Sequence, residues 1–293
     1  MRAPTSLVTE PSLSRWRLPF AGLGVWTGGA ILVLVLLTAI FAPLIAPHSP
    51  YDQSLANRLV KPVFMGGNWD HILGTDHLGR DVLSRLIYGS RMSLAVGFGT
   101  IMISAALGIG LGLTAGFRGG RTDAFVVFLL TVRLSLPIML AAIALVGLFG
   151  NSLWLMMLIL AFFLWDQFLV VSRALAMRLK NAEFVLAARA AGFSELHIMF
   201  REVLPNMLGP LVIVATLEMA HAIMLESALS FLGLGIRPPA ASWGLMIAEA
   251  KDFVYFEAWM VNIPGFAIFV LVAGITLFGE GLRTVFENSS DQR

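Results

Sequence analysis

Cysteine is absent from the 293 residues, so the chain has no disulfide framework, no thiolate nucleophile and no cysteine-ligated metal. Charge is scarce as well. Asp, Glu, Lys and Arg make up 13% of the residues against 58% hydrophobic, whereas a soluble domain carries about a quarter charged. The formal net charge is only +2, which offers no basic surface for nucleic acid. The sequence also lacks a Gly-x-x-x-x-Gly-Lys-Ser/Thr loop, so it does not cradle nucleotide phosphates in that way. No nucleophile–base pairing or metal-ligand motif emerges. An intramembrane enzyme is therefore disfavoured, and the expectation is no catalytic residue and no metal ion.

What the sequence has in quantity is long apolar runs, with a mean hydropathy of +0.83. A helix needs roughly 20 apolar residues to cross the hydrocarbon core. Residues 18–49 hold no Asp, Glu, Lys or Arg and predict a first crossing at 23–46. It is too long for the apolar core of a cleaved leader and reads as a retained span. Further crossings are predicted at 92–117, 124–149, 153–171, 203–232 and 259–279. Arg133 interrupts the third, Asp166 the fourth, and Glu218, His221 and Glu226 lie within the fifth. The runs are continuous, not alternating as barrel strands would be. The expected fold is an all-α membrane protein of about six helices.

Basic residues set the orientation. The amino terminus, the gaps at 118–123 and 172–202 and the tail together hold 12 of the 20 Lys and Arg residues. The two remaining loops hold 7, with Arg133 inside a span. Both termini are accordingly expected in the cytoplasm. The organisation reads as a cytoplasmic segment 1–22, a first helix 23–46, an extracytoplasmic loop 47–91, a permease core 92–285 with a cytoplasmic loop 174–202, and a tail 286–293.

That cytoplasmic loop carries the most information. Residues 182–191 are strong helix formers, and Phe184, Ala187, Ala188 and Ala191 recur at helical spacing as a small-residue face with one aromatic knob. Gly192 suits the left-handed position that ends a helix, and Ser194 suits the cap of the next. By themselves these residues leave two readings open, a helix that docks in a partner's groove or an ordinary interfacial linker.

The stretch resembles the EAA loop of ABC-importer permeases, with Ala187, Ala188, Gly192, Leu204 and Pro205 in register and Leu186 where that loop has Glu. Two more stretches are similar to the second permease subunit of dipeptide, oligopeptide and nickel importers. They are HILGTDHLGRDVLSRLIYGSR at 71–91 and ESALSFLGLG at 226–235, the latter followed by Pro238-Pro239 and Ser242-Trp243-Gly244. The FGEGLR of 278–283 fits as well. The resemblance implies a type I ABC-importer permease fold, a second related permease, two ATPase subunits and a substrate-binding protein. ATP with Mg2+ is expected on the ATPases, and no cofactor on this chain. It also implies that Phe184, Ala187, Ala188, Gly192, Leu204 and Pro205 couple the permease to the ATPases.

Other features have plainer readings. Gly108, Gly112 and Gly116 are spaced four apart, which allows close helix approach. Pro137, Pro205 and Pro264 read as kinks. Ionisable groups inside spans face a partner, a cavity or a permeation path. Glu218 and His221 share a helix face and are candidates to line a pathway, or else a packed pair. Arg133, Asp166 and Glu226 are structural or gating candidates, and Arg133 either snorkels or pairs with an acid such as Asp166. The 71–91 segment mixes Asp76 and Asp81 with Arg80, Arg85 and Arg91. Its two histidines raise metal chemistry, but the balanced signs fit better a salt-bridged surface structure that receives a binding protein or seals the outer gate. Short peptides are the expected cargo, nickel or a metal chelate the alternative, and an ion-coupled secondary transporter using Asp166, Glu218 and Glu226 a remote third.

Overall fold

The computed structural model describes residues 21–290. Arg2, Arg15, Arg17 and Arg293, which entered the charge asymmetry, lie outside the described residues. The first helix, α1 (Ala21–Ile40), is followed by a single turn, α2 (Ala42–Ile45). A strap of turns then leads to α3 (Val82–Arg118), the central helix. After it come α4 (Gly120–Leu134), α5 (Ile138–Phe149), α6 (Leu153–Leu164) and α7 (Asp166–Leu179). The short α8 (Glu183–Ala190) and α9 (Glu195–His197) precede α10 (Leu204–Phe231). A short α11 (Trp243–Ala250) and the long α12 (Trp259–Ser290) complete the chain.

Among the described residues, four helical stretches are long and apolar enough to cross a membrane: Leu23–Ile40, Val82–Arg118, Glu195–Phe231 and Trp259–Phe286. Two further crossings are bent. The α4–α5 pair turns by 84° and the α6–α7 pair by 43°. Counting each bent pair once gives the six expected crossings, but the third is broken rather than merely kinked. Pro137 explains it, because proline has no amide to donate and excludes the helical conformation of the residue before it. α3 starts ten residues before the expected crossing at 92. The cause is local: the Asp81 carboxylate accepts from the Ser84 amide at 2.7 Å and caps the helix there. The fifth crossing likewise begins before 203, because the helix runs back to Glu195 through a wider π-type turn at Ile198–Val203. That turn adjoins Pro205, whose missing amide disfavours an ordinary α register there.

Small residues let the helices approach. A methyl group at Gly108 would lie 2.6 Å from Phe168 Cβ, and one at Gly116 would lie 2.9 Å from Ala176 Cβ. The Gly108, Gly112 and Gly116 stripe is thus the seam between α3 and α7, as its spacing predicts. A second seam, which the sequence reading passed over, joins α1 to α12 through Gly24 and Gly28 against Gly274, Phe278 and Gly281. One apolar core fills the space between α3, α5, α6 and α10, around Val96, Leu160, Phe163 and Leu229. Another, around Phe117, Phe168, Ile198 and Met207, roots the α8 loop to the bundle.

Candidate functional site

The α8 loop is built to stand off the bundle. α8 ends in a Schellman turn: the Gly192 amide donates to the Arg189 carbonyl at 3.0 Å and the Phe193 amide to the Ala188 carbonyl at 3.2 Å. This closure needs a left-handed residue, and Gly192 supplies it at φ +82°. Ser194 Oγ then accepts from the His197 amide at 3.3 Å and starts α9. Val185 is the buried anchor of α8 and packs with Ile198, Met199 and Val203. The Arg189 guanidinium lies 5.2 Å from the Phe117 ring centre, and Arg118 pairs with Glu195 at 3.6 Å, tying the loop to the end of α3. Phe184, Leu186, Phe193, Leu196 and Phe200 are exposed. Of the residues expected to couple, Phe184, Ala187, Gly192 and Pro205 are exposed, whereas Ala188 and Leu204 are half-buried against the loop's core.

Within the bundle the structure gathers four ionisable residues that the sequence treats separately. Arg133 Nη1 donates to Asp166 Oδ2 at 2.8 Å, so Arg133 pairs with the acid and does not snorkel. Glu218 Oε1 lies 3.3 Å from His221 Nδ1. Asp166 and Arg133 are within electrostatic reach of Glu218. Arg133 and His221, with Leu136, Phe163 and Met224, line a cavity of about 330 Å3. Glu218 is buried, while the His221 side chain is 55% exposed.

Glu226 stands apart from this cluster. Its carboxylate is fully buried and accepts from Ser230 Oγ at 2.8 Å and Ser242 Oγ at 3.1 Å. Ser242 also caps α11 by accepting from the Leu245 amide. Glu226 therefore ties α10 to the start of α11, an architectural place.

At the other end of α3 the charges of the strap form a closed network. Asp76 accepts from Arg80 Nε at 2.6 Å, from the Arg80 and Leu78 amides and from Arg85 Nη1. Glu249, from α11, accepts from Arg80 Nη2 at 2.9 Å and Arg85 Nη2 at 2.7 Å. Burial opposes ionisation of Asp76, but the Arg85 and Arg80 guanidiniums and the two amides outweigh it and hold its carboxyl below the usual range. The salt-bridged reading of 71–91 is right in kind, but the network is buried rather than superficial. Glu249 was missed because it lies more than 160 residues along the chain from its partners and carries no local pattern. Trp243 Nε1 donates to the Leu86 carbonyl at 2.8 Å, adding a second tie between α11 and α3.

Comparison with known proteins fixes the class. The family model for the inner membrane component of binding-protein-dependent transport systems matches residues 108–291. The chain belongs to that family. A second model, the N-terminal transmembrane domain of oligopeptide transport permease C, matches residues 24–62. The di/tripeptide transport system permease protein DppC of Pseudomonas aeruginosa is 38% identical over 285 residues, covering 97% of this chain and 94% of the relative. The dipeptide transport system permease protein DppC of Escherichia coli K12 is 39% identical over 265 residues, covering 90% and 88%. Among solved structures, an inward-facing form of the MetNI methionine ABC transporter superposes with a TM-score of 0.56 at 18% identity, over 69% of this chain and 96% of that one. That likeness is one of fold. The chain is thus an inner-membrane, multi-pass permease.

Proposed function

We propose that this permease carries short peptides inward, with α8 in the cytoplasm pressed against an ATPase subunit. A second, related permease completes the pathway, a pair of ATPases holds ATP and Mg2+, and an extracytoplasmic binding protein delivers the cargo. One observation carries the coupling role. α8 hangs from the bundle by the single buried side chain Val185 and offers Phe184 and Leu186 outward, the form of a short helix that seats in a partner's groove. The excess of Lys and Arg on that side supports its placement in the cytoplasm. The dipeptide and di/tripeptide carriers among the relatives support the cargo.

The charge cluster suits such a cargo. A peptide carries an ammonium at one end and a carboxylate at the other. The cavity sets Arg133 and His221 beside the acids Asp166 and Glu218. In this reading His221 lines the route and Glu218 orients its ring, while the Arg133–Asp166 pair and Glu226 hold the surrounding helices. The test is uptake of labelled di- and tripeptides by native-host cells with and without the gene. Loss of ATP-dependent uptake on deletion, restored by the wild-type gene, is the expected result. Unchanged uptake overturns the peptide assignment while leaving the permease class intact.

A further inference from the structure

At the end of α3 remote from α8, the strap between α2 and α3 brings two imidazoles and a carboxylate together. The ring centres of His48 and His71 are 4.8 Å apart. His48 Nε2 lies 3.7 Å from Asp70 Oδ1, and His71 Nε2 lies 3.7 Å from Asp70 Oδ2. One ligand atom from each of the three residues falls within 4.8 Å of the others. Zinc–nitrogen and zinc–oxygen bonds of about 2.0–2.2 Å place tetrahedral ligand atoms roughly 3.4 Å apart. The Asp70 side chain is exposed, so a change of its rotamer can shorten both of its contacts.

The surroundings support these three residues as ligands. Asp81, buried and held by the Ser84 amide at 2.7 Å, approaches His71 Nδ1 at 3.0 Å. A carboxylate on one ring nitrogen fixes the tautomer and leaves the other nitrogen free to ligate, which is how metal-binding histidines are usually oriented. Both backbones are pinned as well. The His48 amide donates to Ser84 Oγ at 3.0 Å and the His71 amide to Asn68 Oδ1 at 3.1 Å. The three residues border a cavity of about 240 Å3 whose other walls, Asp52, Gln53, Ser54 and Asn57, are polar. It has room for water to complete a coordination shell. In sequence the paired histidines are His71 and His77, but the fold parts them. His77 stacks on Phe253 with ring centres 5.6 Å apart, and His48, from beyond the end of α2, takes its place.

We infer that His48, Asp70 and His71 form a site for a divalent transition-metal ion of the zinc type, with Asp81 orienting His71. Two imidazoles and one carboxylate suit zinc or cobalt better than magnesium or calcium, which prefer all-oxygen sites. The sequence alone led to the expectation of no metal, because His48 lies 23 positions from His71 in no recognisable spacing. A bound ion links the start of the strap to the segment that leads into α3, and so stiffens the strap.

The test uses the purified full-length chain in detergent, stripped of metal and titrated with Zn2+ against a chromogenic chelator. A parallel titration with Co2+ follows visible ligand-field absorption. The expected result is one equivalent per chain, lost in His48→Ala and in His71→Ala. Asp81→Asn weakens Zn2+ binding about 10- to 100-fold, and His77→Ala binds as the wild type does. No saturable binding, or binding that survives His48→Ala, overturns the site. Should His71→Ala fail to fold, the exposed Asp70→Ala and His48→Ala decide the matter alone, with metal-free melting curves as the folding control. The readout is metal on the isolated chain, so it stands or falls independently of the peptide reading.

Discussion

Arg133 and Asp166 meet at 2.8 Å across the two broken crossings of the bundle. Arg133 occupies the last turn of α4, just before the 84° break, and Asp166 the first turn of α7, just after the 43° break. Each charge therefore sits where its helix dipole favours it, a cation at a carboxyl end and an anion at an amino end. A broken helix in a membrane leaves backbone groups without partners, and such breaks survive only inside protein or beside a cavity. Here the pair lies at the edge of the cavity that His221 lines. The two breaks and the ion pair are one device.

That device predicts unequal effects. Asp166→Leu or Arg133→Met alone leaves one buried charge unpaired and is expected to cost of order 3 kcal/mol. The double variant Arg133→Met with Asp166→Leu is expected to cost less than the two singles summed, because no lone charge remains. Exchange of the two residues restores the pair but sets both charges against their dipoles, at roughly 0.3–1 kcal/mol each, so recovery is partial. Thermal melting of the purified chain measures all four. Full additivity of the single variants would sink the idea that the pair acts as a unit.

The α3–α7 seam yields a sharper contrast. Gly108 and Gly116 face atoms of α7 that a methyl group would strike, whereas Gly110 on the same helix meets nothing within 4 Å. Gly108→Ala and Gly116→Ala are each expected to destabilise by about 1–3 kcal/mol through overpacking. Gly110→Ala is expected to be neutral or slightly stabilising, since alanine is the better helix former. Melting temperature and yield of the detergent-purified chain rank the three. Equal losses at all three positions would count against close packing at this seam as the cause.

Much of this was legible in the sequence because it is encoded locally. Unbroken apolar runs gave the crossings, four-residue glycine spacing gave the α3–α7 seam, and the small-residue stretch ending in Gly192 gave α8 with its turn. The angle at Ser135–Pro137 was not legible, because proline announces a break but not its size. Nor were the partners of long-range charges. Nothing local links Glu249 to Arg80 and Arg85, or His48 to His71, and only the folded strap brings them together. The sequence sorted Arg133 and Asp166 apart from Glu218 and His221, but the structure sets Arg133 and His221 on one cavity wall, each paired with its own acid.

His77 makes stability depend on pH. Burial pushes its imidazole below the ordinary value of 6.5, with Asp76 and Glu249 opposing. As pH falls through that ordinary value, the unfolded chain takes up a proton that the folded chain resists. Stability then declines until pH passes the depressed folded value, and levels off below it. His77→Phe preserves stacking on Phe253 and removes the proton. Melting curves from pH 7.5 to 5 are expected to show the wild type losing ground to His77→Phe across that window. Parallel curves would rule His77 out as the cause of any acid sensitivity.

Gly192 offers the most direct test of coupling. Its φ of +82° closes the Schellman turn, and no atom lies within 4 Å of where a Cβ would stand. A side chain there meets no atom of this chain, so within the permease the substitution acts through the backbone. An ordinary residue in the left-handed region costs about 1–2 kcal/mol, and asparagine less. That cost reorients the exit of α8 without touching the buried anchor Val185. Gly192→Val is therefore expected to leave the permease assembled while lowering peptides transported per ATP hydrolysed, with Gly192→Asn falling between it and the wild type. Uptake and hydrolysis measured together in proteoliposomes give the ratio. If valine left that ratio unchanged, the turn would matter only for folding, and coupling would not depend on the angle at which the chain leaves α8.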